Sequence, residues 1–143
     1  MKPYPPLEQR SPLITVAAAV IERKGRVLLG RRPFDKRHGG LWEFPGGKLA
    51  AGETLGEALG RELREELGLE LERVGAVLFH SRDLDAPFDV CFVEVLARGT
   101  PRALEHVELE WCDRSRFMGL DLAPADRRFV VERLAAHGHS AVT

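Results

Sequence analysis

The chain has 143 residues, 44% of them hydrophobic and 30% charged, a balance that excludes a disordered or fibrous chain and fits one globular domain. Its 21 basic and 22 acidic residues leave a formal net charge of −1, which argues against a grip on polymeric nucleic acid or on an anionic membrane. No apolar run in it approaches the roughly 20 residues of a membrane span.

The first 12 residues, with Pro3, Pro5, Pro6 and Pro12, are expected to form an extended leader, and residues 13–143 a single domain. Leu13 to Ile21 is a dense apolar, β-branched run of strand length, Lys24-Gly25 offers a turn, and Arg26 to Leu29 a second strand. Together they predict a hairpin. Gly30 to Gly40 carries Arg31, Arg32, Lys36, Arg37 and His38 and reads as a basic loop, and Leu41 to Phe44 as a short strand stopped by Pro45-Gly46-Gly47.

From Thr54 to Leu67 the pattern turns helical. Thr54 and Glu57 make a capping-box pair, Leu55, Leu59, Leu63 and Leu67 recur every four residues, and Gly68 stands where helices end. Val74 to His80 and Asp89 to Leu96 follow as strands joined by a polar loop with Asp83, Asp85 and Pro87, then Glu108 to Cys112 as another. A last helix is predicted from Pro124 to His137. Strands around a central helix, with a second helix closing the chain, give a layered α/β (α+β) class. Cys91 and Cys112 sit in apolar or aromatic company without a CxxC pair, which predicts buried thiols in a reducing, cytoplasmic setting.

Chemistry concentrates in the first helix. At about 100° per residue, Glu62, Glu65 and Glu66 fall within about 100° of one another, at the edge of the leucine stripe. Like charges so close raise one another's pKa and call for a compensating cation, for which a hard divalent ion such as Mg²⁺ suits oxygen ligands. Arg61 is spaced to pair with Glu65 one turn on or with Glu53 upstream.

Gly47, five residues, Glu53, seven residues, Arg61-Glu62-Leu63, one residue, Glu65-Glu66, one residue, Gly68-Leu69: this spacing resembles the Nudix box, and a chance match at all these positions has odds on the order of 10⁻⁹. Trp42 to Lys48 resembles the segment that precedes the box in MutT-like members of that family. The resemblance implies an α/β/α sandwich with a central mixed sheet. It also implies hydrolysis of (deoxy)nucleoside triphosphates to monophosphate and pyrophosphate with Mg²⁺, or Mn²⁺ in its place, in the service of nucleotide-pool sanitation.

Residue by residue, the family pattern makes Glu62, Glu65 and Glu66 metal ligands, joined by the Gly46 carbonyl. Glu53 and Arg61 form an ion pair that fixes the loop on the helix, and Lys48 faces phosphate. Glu105 is the expected acid beyond the box, with Glu65 or Glu66 as alternative bases. The substrate side is expected to use Arg31, the aromatic Phe79, Arg82 and Asp126. Where MutT carries an asparagine this chain has Asp126, which when ionised accepts hydrogen bonds only. It therefore suits guanine N1/N2 or a cytosine amino group, opening cytidine triphosphates beside 8-oxo-dGTP. Two alternatives stay open: a Nudix pyrophosphatase for ADP-ribose or another nucleoside diphosphate derivative, and a non-catalytic nucleotide sensor. In each the partner is a small nucleotide.

Overall fold

The computed structural model describes residues 13–83 and 87–135; the expected leader, the middle of the Asp83–Pro87 loop and the helix end at His137 lie outside them. Strand β1 (Ile14–Arg23) is the axis of the molecule. Its side chains alternate, so Ala17, Ala19 and Ile21 join the apolar cluster of the first helix while Ala18 and Val20 join the cluster on the opposite face. The expected hairpin is present but slight. Lys24 and Gly25 adopt positive φ and turn the chain into β2 (Arg26–Arg31), and β1 meets β2 only at Glu22↔Val27 and Arg23↔Arg26.

The rest of β1 pairs elsewhere. It runs parallel to β6 (Phe88–Arg98) from Ile14↔Phe88 to Ile21↔Val95. On its other side it runs antiparallel to β4 (Gly46–Lys48), so Gly46-Gly47, read in the sequence as a breaker, is itself a strand. Backbone space explains it: a Cβ on Gly46 would lie 1.9 Å from the Ala17 carbonyl oxygen, so only glycine lets β4 approach this closely. β5 (Glu70–Asp83) completes this part antiparallel to β6, with register shifts along its length. β2 also pairs antiparallel with β3 (Trp42–Glu43) and β7 (Glu108–Cys112). The sheet is therefore mixed.

Helices cover both faces. α1 (Leu55–Leu67) has the expected capping box, and Gly68 closes it in the left-handed conformation with its N–H on the Arg64 carbonyl. Leu59, Leu63 and Leu67 are fully buried against β1 and β6, each worth about 1.5–3 kcal/mol. Gly56 and Gly60 face Val74 and Leu71 of β5 at ordinary contact distances. The other face is covered by the short α2 (Arg114–Phe117), which carries no apolar periodicity to announce it, and by α3 (Pro124–Phe129). α3 continues as a π-helical segment, Val130–Ala135, where a single α-helix was expected. The result is the α/β/α sandwich with a central mixed sheet.

Candidate active site

Arg61 organises the start of the site. Its Nε and NH2 donate to the two carboxylate oxygens of Glu53 at 2.8 Å each, NH2 also reaches the Lys48 carbonyl at 3.0 Å, and NH1 reaches Glu62 Oε1 at 2.6 Å. This two-pronged pair ties the 48–53 loop to α1. The Arg61 hydrogen bonds, with the Ala50 N–H second, pull the Glu53 carboxyl down to about 2, and the same acids push Arg61 upward.

One turn on, Glu66 has the opposite fate. It is 4% exposed, its Oε1 accepts weakly from the Gly46 N–H at 3.4 Å, and its backbone carbonyl receives the Leu104 N–H, which brings the 104–106 loop over α1. Burial, followed by a hydrogen bond that the protonated Glu66 donates to the Glu62 carboxylate and by the charges of Glu62, Glu43 and Glu105, pushes its carboxyl up to about 10. Glu62, Glu66, Glu105 and Gly46 line one cavity of about 480 Å³ together with Glu43 and His106. Gly47 makes room for it, since a Cβ there would sit 2.6 Å from the Glu62 carboxylate.

These donors are all hard oxygens, crowded and buried enough that they cannot all ionise without added positive charge, and such a set fits a divalent cation of the Mg²⁺ class. Among the described residues no three acids, histidines or cysteines are closed around one point; Glu62 leans on Arg61 instead. Glu65 is not brought into the cavity. Its side chain is 52% exposed, with Arg61 NH1 3.5 Å away.

A second cavity, about 310 Å³, shares Glu43, Gly46 and Arg32 with the first. Its walls are apolar, with Ala18, Phe44, Phe88 and Val90 among them, and Lys48 and Asp126 supply polar ends. Backbone bonds Trp42 N–H to Asp121 and Ala123 N–H to Trp42 pin the approach to α3 against β3. Asp126 thereby arrives beside Phe44, whose N–H donates to Asp126 Oδ1 at 2.8 Å. Burial and then the charge of Glu43 raise the Asp126 carboxyl well above the usual carboxylate range, against the pull of that N–H. Lys48 Nζ lies 5.1 Å and the Arg37 guanidinium 5.7 Å from the centre of the Phe88 ring. A larger cavity, about 510 Å³, opens at the far end of the same sheet face near Arg133 and holds none of the box acids.

The structure does not bring Arg31, Phe79 or Arg82 to the nucleotide-sized cavity. Arg31 donates to the Gly40 carbonyl and pairs with Glu108; it is Arg32 that lines both cavities, held by Glu43 Oε1 at 2.9 Å and by the Arg37 carbonyl at 2.6 Å. Phe79 is spent in the core, its ring stacked on Phe129 at 5.8 Å and tilted against Phe92 at 6.3 Å. Arg82 is exposed on β5, where its carbonyl receives Arg128. Glu43, His106 and Phe88 were not expected at the site. Of these Glu43 had the clearest signal, an acid beside the Pro-Gly-Gly segment.

A family model for the NUDIX domain matches residues 11–132. The chain is 41% identical over 116 residues to the CTP pyrophosphohydrolase of Escherichia coli, covering 80% of this chain and 86% of that protein. It is 39% identical over 122 residues to a putative 8-oxo-dGTP diphosphatase 2 of Mycobacterium tuberculosis, covering 83% and 86%. Among solved structures, the E. coli ORF135 protein superposes with a TM-score of 0.77 at 36% identity, covering 97% of this chain and 100% of that one. A MutT NUDIX hydrolase from Burkholderia pseudomallei superposes with a TM-score of 0.73 at 28% identity, covering 87% and 99%.

Proposed function

The chain belongs to the Nudix hydrolase family, and from that premise we propose that it hydrolyses (deoxy)nucleoside triphosphates to monophosphate and pyrophosphate, with a preference for cytidine or oxidised guanine nucleotides. One observation carries the reading. An acid-lined cavity suited to a cation and an apolar cavity suited to a base share a wall at Glu43, Gly46 and Arg32, so a nucleotide can lay its base in one and its phosphates across the other. The named relatives, with their CTP and 8-oxo-dGTP substrates, agree with that choice.

Glu62 and Glu66, with the Gly46 carbonyl, would hold the divalent cation, Mg²⁺ or Mn²⁺. When bound, that ion neutralises phosphate oxygens and lowers the pKa of a coordinated water. The protein's own groups do the rest. Arg61 locks the 48–53 loop through Glu53, so that Lys48 presents its ammonium to phosphate as a point charge. Arg32, clamped between Glu43 and the Arg37 carbonyl, presents a fixed guanidinium at the shared wall. Glu105, more exposed than Glu66, accepts the proton of the attacking water at its carboxylate. Asp126, pinned by Phe44, offers its other oxygen to the base edge.

A nucleotide panel with Mg²⁺ tests this: CTP, dCTP and their 5-methyl forms, dGTP, 8-oxo-dGTP, ADP-ribose and a dinucleoside polyphosphate, with pyrophosphate and monophosphate measured separately. Equal yields of pyrophosphate and monophosphate from one or two triphosphates are expected. Turnover of ADP-ribose alone, or binding without turnover, would overturn the proposal.

A further inference from the structure

His106 lines the acid cavity beside Glu43, which that cavity shares with the apolar one. Its side chain is 3% exposed, and its Nε2 lies 3.0 Å from Glu43 Oε2 and 3.7 Å from Glu66 Oε1. Its Nδ1 is buried with no hydrogen-bond partner among the described residues. That pattern selects a tautomer. Carboxylate oxygens accept, and a buried bare lone pair is tolerated better than a buried bare N–H, so the proton belongs on Nε2, which donates to Glu43. Glu43 in turn holds Arg32 with its other oxygen. The ring occupies space that Gly30 of β2 leaves open, since a Cβ there would lie 2.6 Å from it.

We propose that His106 is a positioning residue that fixes Glu66 and Glu43 relative to each other, so that the cation carboxylate and the Arg32 wall of the nucleotide cavity keep one geometry. The inference rests on the reading above for the cation and the phosphate side. Nε2 donates to Glu43 and lies 3.7 Å from Glu66 without a hydrogen bond, an electrostatic outer-shell contact to the ligating acid, and removing outer-shell contacts costs about 10–100-fold in metal affinity or activity.

Three variants and a metal-only readout test it. Mn²⁺ affinity is measured by calorimetry on nucleotide-free protein for wild type, His106→Leu, His106→Gln and Gly30→Ala, with thermal midpoints, kcat and KM alongside. His106→Leu should weaken Mn²⁺ binding about 10–100-fold and lower kcat/KM for the nucleotide, since the Arg32 wall loosens with it. His106→Gln, whose amide can place a donor near the position of Nε2, should recover most of both. Gly30→Ala displaces the ring while leaving every acid in place and should weaken Mn²⁺ binding as His106→Leu does. If His106→Leu does not fold, the contrast between Gly30→Ala and His106→Gln decides. Unchanged Mn²⁺ affinity in Gly30→Ala or His106→Leu, or equal losses in His106→Leu and His106→Gln, would overturn the proposal. Wild type that binds Mn²⁺ with this variant pattern but turns over no nucleotide supports the role of His106 and removes the proposed substrate. Wild type that binds no Mn²⁺ overturns both.

Discussion

The carboxylate cavity takes its ligand acids from one helix, whereas the apolar cavity beside it is assembled from β1, β3, β4, β6 and α3, from Val16 to Asp126. The first is a local object. Glu62 and Glu66 share a cavity because a helix turns by about 100° per residue, and their electrostatic strain is set by their own neighbours. The second is a tertiary object, in which Asp126 meets Phe44 only because residues 121–123 are tied to Trp42. A local device tolerates little chemical change at its acids; a tertiary one can change its base preference without touching catalysis.

The largest effect is expected on the local side. Glu66→Gln removes a candidate ligand while keeping shape. A metal centre supplies several kcal/mol of charge stabilisation, so turnover should fall by on the order of 10³-fold, with the fold preserved by circular dichroism. Activity within tenfold of wild type, a step of about 1.4 kcal/mol, would remove Glu66 from the cation site.

The two neighbouring glycines sharpen the contrast between stability and chemistry. Gly46→Ala drives a methyl into the backbone of β1 at Ala17, and Gly46 has φ 153°. It should cost at least about 2 kcal/mol, seen as a lower thermal midpoint. The nearest atoms a Gly47→Ala methyl meets are the end of the Glu62 side chain, which can swing aside. Stability should stay within about 0.5 kcal/mol while activity falls. A reversed outcome, with Gly46→Ala stable and Gly47→Ala unfolded, would contradict the packing seen between β4 and β1.

Legibility in the sequence follows the same division. The box acids, the Glu53–Arg61 pair and the capping of α1 could be read because each depends on residues within two helical turns or one loop. The fold class was legible from periodicity. The pairing of β1 with β6 and β4 was not, because a run of alanines and valines does not say which neighbour lies beside it. Arg31 and Arg32 are adjacent, so only the seating of β3 decides that Arg32 reaches the cavities while Arg31 turns to Gly40 and Glu108. Phe79 and Phe88 divided in the same way. Both are aromatic and near a strand end, but Phe79 joins the Phe92–Phe129 stack while Phe88 lines the cavity. His106 left one faint trace, a glycine at position 30 beside a strand pattern, where a close approach is the usual reason.

On the tertiary side, Asp126→Asn keeps size and the oxygen that accepts the Phe44 N–H, and replaces a carboxyl oxygen that burial keeps readily protonated, able to donate or accept, by an NH₂ that only donates. Base preference should shift by about tenfold or more between the cytidine and guanine nucleotides, with kcat on the best substrate little changed. An identical substrate profile would take Asp126 out of base recognition.

The smallest effect separates two acids of the same box. Glu53 and Glu66 differ in sign: Arg61 holds Glu53 down at about 2 from an ordinary 4.5, while burial holds Glu66 up. A carboxyl lowered on folding adds stability that is fully present above pH 4.5 and is lost as pH falls through about 2. Glu53→Gln should therefore lie below wild type in thermal midpoint at neutral pH and converge with it as the pH is lowered towards 2. Because the pair is only half-buried, the gap should shrink in high salt. Parallel curves at all pH values would mean that the Glu53 carboxylate is not held by Arg61 in solution, and the loop bearing Lys48 would lose its anchor to α1.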